Sequence, residues 1–475
     1  MFVRNTRQKA VVATCSSAHE MRRAGAALAA DFIFLHLSAQ FSAGQTNNNA
    51  PSGPVPRQWI DADTGHRVTR VSYEPGSQAL YSNRNAFTPD GKDMIYTSPF
   101  GIHVLNLATL TERVLVGGNV ASLAVGTRTR RVFYNTGSNI YLNSVDIDTG
   151  AVTRVGTIPV LGEIISVNAD ETLLMGTAFE RAGPTYTYFL ARATRAATAE
   201  IKANPSETLS KDEIKTRAER MRLAAQIPED IFTVNLQTGQ VSTILKGTDW
   251  IDHAQFSPTD PALIMYNHEG PYSDVDRIWT IRSDGTQNQL IHQRTSKEES
   301  ATREFWSRDG KTLWYEWQSP RGENFTLVGY DVATGKRKLY HLDKLDTSMY
   351  YNVADSGAFF CGSGRRSEAA HEKDATPGQI HASREWIEAL YPILNTPQSG
   401  ANPRYSKSFH YDNVADSTDP DKQYAGWFRR ERLVNMYMND YTKLEPNVRI
   451  SPDNKYVIFT SNMFGPSYVF AVEVQ

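Results

Sequence analysis

From about Trp59 onward the chain is a succession of short apolar or alternating runs separated by turn residues, the period of β-strands and not of helices. One unit recurs: a turn of the Ser/Thr-Pro-Asp-Gly type followed by a strand. It appears as Phe87-Thr-Pro-Asp-Gly-Lys-Asp-Met-Ile-Tyr-Thr-Ser98 and again as Ile450-Ser-Pro-Asp-Asn-Lys-Tyr-Val-Ile-Phe-Thr-Ser461. Close variants run over Phe256–Tyr266 and Trp306–Glu316, and weaker copies over Val125–Tyr134, Val167–Met175 and Val353–Phe360, which makes seven. Proline fixes φ and Asp-Gly closes the turn, so each copy predicts a hairpin. Most copies are followed by a second hairpin with a Thr-Gly or Asp-Gly turn, as at Leu142–Gly150, Phe232–Gly239 and Tyr330–Gly335. Two hairpins make the four strands of one propeller blade, so the chain is predicted to be all-β, a seven-bladed β-propeller.

The ends fit such a ring. Thr64–Val71 has the pattern of an outer blade strand with no hairpin before it, and Ser467–Val474 that of a strand lacking its neighbour. Pairing them closes the last blade and hides two edges that would otherwise recruit other strands. Residues 184–229 and 365–445 break the spacing as two partly helical insertions. The first carries a predicted helix over Leu209–Leu223, with Ser210 as N-cap and Glu213 at the capping-box position. The second carries a predicted helix over Ser383–Leu394. Long insertions on a rigid scaffold ride over a functional face.

Composition narrows the class. With 475 residues, 50 Lys and Arg against 52 Asp and Glu, and a formal charge of −2, the chain lacks the basic excess of a nucleic-acid binder. Two cysteines, Cys15 and Cys361, exclude a disulfide framework and a cysteine-rich zinc site. Met21-Arg-Arg23, an apolar stretch and the small residues before Ala43 have the layout of a secretory signal, with Met21 as the expected start. Residues 1–43 therefore read as a targeting segment, 44–58 as a linker and 59–475 as the propeller. The expected location is periplasmic or secreted, with no membrane span in the mature chain.

Asn267-His-Glu-Gly-Pro271, then Asp276-Arg-Ile-Trp279 and Arg303-Glu-Phe-Trp306, resemble the oligogalacturonate lyase family from about Trp59 to the C-terminus. The resemblance implies an acidic oligosaccharide substrate and cleavage by β-elimination. In that family a histidine of a His-Glu-Phe-Trp string is the proposed base and an arginine of an Asp-x-Arg-x-Trp string assists it. A manganese ion held by three histidines and a glutamine neutralises the uronate carboxylate. Here Arg277 matches the arginine, but Arg303 stands in place of the base, followed by the matching Glu304. No histidine occurs near Met349–Tyr351, the His-Pro-His ligand pair is replaced by Glu445-Pro446-Asn447, and Thr442 stands for the glutamine. The family's metal site is thus not retained, and the metal and cofactor stay unassigned.

Elimination removes a weakly acidic C5 proton, so charge gathering on the carboxylate must be stabilised while a base acts. His268, Arg277 and Arg303 are the catalytic candidates. An arginine clamps the carboxylate bidentately, and His268 or a tyrosine moves the proton. Glu304, Tyr350, Tyr351, His410, Tyr411, Glu445 and Asn447 are the candidates for contacting substrate. Against these stand duller roles: a strand-end hydrogen bond for His268, pairing with Asp274 or Asp276 for Arg277, a structural pair of Arg303 with Glu304. Trp279 and Trp306 read as blade core. Two other readings remain open, a non-catalytic propeller binding an oligosaccharide or a protein, and a hydrolase using two of Glu269, Glu304 and Glu445.

Overall fold

The computed structural model describes residues 54–474 apart from 138, 205–208, 344–346, 365–384 and 395–423. The targeting segment read in residues 1–43, and His410 and Tyr411, lie outside the described residues. Four separate antiparallel sheets have four strands each. They span Gln78–Gly117, Val120–Thr157, Gly162–Gly247 and Trp250–Leu290. A fifth sheet has eight strands and a sixth has five.

Apolar residues of successive sheets interlock, which is where the core sits. Leu123, Val132 and Val145 of the second sheet pack with Ile95 and Leu105 of the first, and Ile458 and Val469 of the last sheet join the same cluster. Equivalent layers of buried side chains follow between the later sheets. Because the last sheet packs on the first, the sheets form a ring around an axis, a β-propeller of four-stranded units.

The ring closes as its ends predict. Arg67–Arg70 pairs antiparallel with Tyr468–Glu473, Val68 opposite Val472, and Gln58–Ile60 adds a further outer strand. Both valines are fully buried. Val68→Ala is expected to cost about 2 kcal/mol, from two lost methyl groups and the cavity they leave. Urea denaturation measures it, and an unchanged midpoint would mean that this strand is not part of the cooperative unit.

The first insertion carries the expected helix and a second one, Tyr186–Ala203, that the sequence reading does not name. It forms α1 (Tyr186–Ala203) and α2 (Lys211–Ala224), inside the hairpin that joins strands Leu173–Phe179 and Glu229–Asn235. Ser210 accepts a hydrogen bond from the Glu213 amide at 3.2 Å, and its own amide donates to the Glu213 carboxylate at 2.7 Å, a complete capping box. Phe189, Ala193, Ala218 and Ile227 form the small core between the helices.

The second insertion corrects the sequence reading. Residues Trp386–Leu394 are a strand, not a helix, paired with Tyr424–Asn435 over nine residues and with Phe360–Gly362 on the other side. Trp386, Ile387, Ala389 and Leu390 are all buried, so this is an apolar strand covered on both faces, and Pro392 within it opposes a continued helix. Parallel pairing of Arg337–Leu342 with Tyr424–Asn435 joins these strands to their neighbours as the eight-stranded sheet.

Candidate functional site

The repeated turn, Ser257-Pro-Thr-Asp260 in one unit and Ser307-Arg-Asp-Gly310 in the next, joins the first strand to the second, so the start of the first strand and the loop after the second lie at the opposite end of the ring. A broad cavity of about 1060 Å³ opens at the turn end, lined among others by Pro89, Arg308, Arg449 and Pro452. A cluster of ionisable side chains gathers at the other end, and none of them lines that cavity.

Backbone strain marks the centre of this cluster. First strands Trp250–Phe256 and Ser300–Trp306 each carry a β-bulge, between Asp252 and Gln255 and between Thr302 and Phe305. Within the bulges His253 (φ 55°) and Arg303 (φ 62°) adopt the left-handed conformation that L residues avoid, and Asn447 (φ 48°) does the same before the last sheet's first strand. A bulge re-aims a side chain, and strain of this kind is held in place by its surroundings at functional sites. His253, Arg303, Tyr350 and Asn447 each stand four residues before the first residue of a turn, at Ser257, Ser307, Ala354 and Ser451. Four successive units therefore present equivalent positions to the axis.

His253 Nδ1 lies 2.7 Å from the Glu304 carboxylate and Nε2 lies 3.3 Å from the Tyr81 hydroxyl. Burial works against its charge, but Asp252, Glu304 and Glu269 outweigh burial and push the imidazole up to about 10. Glu304, also buried, is held low mainly through its hydrogen bond to His253. His253 is thus an imidazolium at neutral pH, a donor and not a base. Asn267 bridges Glu304 and Glu269, donating to them at 3.0 and 2.9 Å.

Arg277 is 5% exposed, bonds Glu269, donates to the Gly270 carbonyl at 3.0 Å and sits 5.0 Å from the Tyr272 ring centre. Its partner is neither Asp274 nor Asp276, which pair with Arg220 and Arg294. Arg303 bonds Glu316 through Nη1 and not the adjacent Glu304. Glu316 also accepts from Gln318 at 2.6 Å and from the Tyr351 hydroxyl at 2.8 Å. Among the described residues no protein acceptor binds Arg303 Nε or Nη2. Tyr350 bonds the Tyr81 hydroxyl and faces Glu445 and Arg303. Burial and neighbouring carboxylates hold both Tyr350 and Tyr351 well above the ordinary phenol range. Burial likewise raises the Glu445 carboxyl. Asn447 Oδ1 accepts from the Ser82 amide at 3.2 Å, which ties it to the segment carrying Tyr81.

The structure thus brings Arg277, Arg303, Glu304, Tyr350, Tyr351 and Glu445 together, with Asn447 at the edge. His268 does not join them. Side chains alternate along Leu263–Glu269, so Asn267 and Glu269 point into the cluster while His268 lies against Tyr266 and Trp279 on the other face. Trp306 is blade core, and Trp279 is partly buried beside His268. Sequence reasoning passed over His253, Tyr81, Tyr272 and Lys215. The repeat itself could have found His253, which stands where Arg303 stands one unit later.

The donor set does not fit a manganese ion of the kind the family resemblance implies. Among the described residues no three His, Cys, Asp or Glu side chains converge as a metal-holding group. Of the residues at the family's ligand positions, Asn447 holds a backbone amide and Glu445 a tyrosine.

Residues 222–376 match the family model described as oligogalacturonate lyase. The oligogalacturonide lyase of Pectobacterium atrosepticum is 37% identical over 245 residues, 51% of this chain and 55% of that protein. The oligogalacturonate lyase of Dickeya dadantii is 24% identical over 246 residues, again 51% and 55%. The chain thus spans about half the length of the curated relatives it matches. Among solved structures, an oligogalacturonate lyase in complex with manganese superposes with a TM-score of 0.62 at 19% identity, covering 92% of this chain and 99% of that one. An oligogalacturonate lyase from Vibrio parahaemolyticus gives 0.59 at 20% identity over 91% and 99%. By the sequence of residues 222–376 the chain is related to the oligogalacturonate lyase family, and over nearly all of its length it shares the fold of that family's solved members.

Proposed function

We propose that this protein cleaves uronate-containing oligosaccharides of the oligogalacturonate kind by β-elimination. The observation that carries the reading is Arg303: a partly buried guanidinium on a strained bulge, at the axis, with two donor nitrogens left for a planar anion. Bidentate pairing with a uronate carboxylate suits that fork and supplies the charge that a metal would otherwise bring. Arg277 and Lys215 add positive charge on the same side. When the C5 proton leaves, negative charge moves onto the carboxylate, where these cations stabilise it more than in the ground state. The His253 imidazolium, fixed by Glu304, is the donor for the departing glycosidic oxygen. A hydrolase would need one carboxyl group protonated and another free to attack or to activate water. Glu269 and Glu304 are instead bonded to Arg277 and His253, which favours elimination.

The same proposal extends to the architecture and location. The eight-stranded sheet counts as two four-stranded blades joined at their outer strands, which gives seven blades with the other five sheets. Export follows the reading of residues 21–43.

Incubation with oligogalacturonate is expected to raise ultraviolet absorbance as the unsaturated product forms, and EDTA is expected to leave the rate within about twofold, because the cations are arginine and lysine. New reducing ends without absorbance would replace elimination by hydrolysis. Binding without turnover would leave a binding module. A rate abolished by EDTA and restored by Mn²⁺ would overturn the arginine-based scheme.

A further inference from the structure

Resting on the lyase reading, a second question is which group takes the C5 proton. His268 faces away from the cluster, His253 is already protonated, and Tyr81, Tyr350 and Tyr351 are held in their neutral form by burial and nearby carboxylates. Tyr272 is different. It lies in the loop between strands Leu263–Glu269 and Ile278–Arg282, at the cluster's end of the ring and only partly buried. Three cations from three elements surround its ring: Arg321 at 4.7 Å, Arg277 at 5.0 Å and Lys215 at 5.7 Å from the ring centre.

We propose that Tyr272 is the proton-abstracting residue and that helix α2, by bringing Lys215 onto it, is part of the catalytic apparatus and not a surface ornament. The helix is pinned over the loop. Arg220 pairs with Asp274 at 2.7 Å, and Asp212 pairs with Arg321 at 2.5 Å. The backbone of Gly270 (φ 149°) comes so close that an added Cβ would lie 2.9 Å from Leu223. The charged groups around the phenol are Lys215 and Glu219 from α2, Arg277 and Glu269 from its own blade, and Arg303 and Arg321 from the next. Burial opposes ionisation, but Lys215, Arg277 and Arg303 outweigh it and leave the phenol below its ordinary value. In the reaction the Tyr272 phenolate oxygen takes the C5 proton. The electron pair of the C–H bond becomes the C4–C5 double bond as the bond from C4 to the glycosidic oxygen breaks. That oxygen takes its proton from the His253 imidazolium, and water returns both groups to their starting states.

Three proteins test this: wild type, Tyr272→Phe and Lys215→Met, each checked for fold by circular dichroism. Tyr272→Phe is expected to lower kcat about a thousandfold with KM within a few-fold. Lys215→Met is expected to move the acidic limb of the pH–kcat profile up by about one pH unit. Ultraviolet difference titration, which needs no turnover, is expected to show one tyrosine ionising ahead of the others in wild type, absent in Tyr272→Phe and later in Lys215→Met. Active wild type with Tyr272→Phe within threefold of it overturns the assignment of Tyr272 alone. An early-ionising tyrosine that persists in Tyr272→Phe does the same. Wild type inactive on every uronate oligosaccharide overturns the lyase reading, and the assignment with it.

Discussion

Arg303→Met is expected to lower kcat/KM on oligogalacturonate by about a thousandfold, the size of effect seen when a preorganised donor to a developing anion is removed from a water-poor site. The loss should fall on kcat as well as KM, because the carboxylate carries more charge in the transition state than in the bound substrate. Arg303→Lys keeps the charge but not the planar fork, and is expected to recover part of the loss. The substitution has a structural cost too. Glu316 is fully buried and has Arg303 as its cationic partner, with Gln318 and Tyr351 as neutral donors. Stranding that carboxylate costs about 3 kcal/mol, measurable by denaturant titration. Glu316→Gln combined with Arg303→Met should regain stability without regaining turnover. Turnover by Arg303→Met within threefold of wild type would remove the carboxylate clamp from the scheme.

Glu304→Gln is expected to act through His253, with an effect that depends on pH. The side chain keeps its shape, but the imidazolium loses the carboxylate bonded to Nδ1 and its proton is released at lower pH. Near pH 8 the variant should then hold less imidazolium, with Asp252 and Glu269 still beside it, and turn over about tenfold more slowly than wild type. At about pH 5.5 the two should differ only a few-fold, since the ordinary imidazole is also protonated there. The same group sets a stability trend. The folded-state pKa, about 10, lies above the ordinary histidine value of 6.5. The stabilisation is fully present below the unfolded value and disappears as pH rises through the folded one. Wild type should lose roughly 1–3 kcal/mol between these limits and Glu304→Gln much less. A histidine NMR titration placing His253 near 6.5 in wild type would reject the whole account.

The fold was legible because its repeat is local. Proline and Asp-Gly specify the clearest turns within a few residues, and alternating strands on either side leave little choice of architecture. Both ends of the ring were readable for the same reason, as strands without neighbours. Ser383–Leu394 was misread because a strand buried on both faces has no alternation, so its apolar run resembles a helix until the pairing with Tyr424–Asn435 is seen. At the site, Arg277, Arg303 and Glu304 stood in recognisable strings. His253 did not, although its place in the repeat was available. Tyr272 and Lys215 were beyond reach, since their meeting depends on how α2 docks, and no local pattern encodes that. His268 was chosen on chemistry alone. Counting the pleat from Asn267 and Glu269 would have put it on the other face.

The pairing of Arg67–Arg70 with Tyr468–Glu473 fixes when the protein can become itself. His66, just before the first of these strands, bonds the Glu473 carbonyl across 407 positions of chain. A ribosome therefore makes every residue of the candidate site before it makes the strand that draws the ring shut. Until then the nascent polypeptide is an open arc with two unsatisfied edges, the kind of species in which unpaired strands invite aggregation.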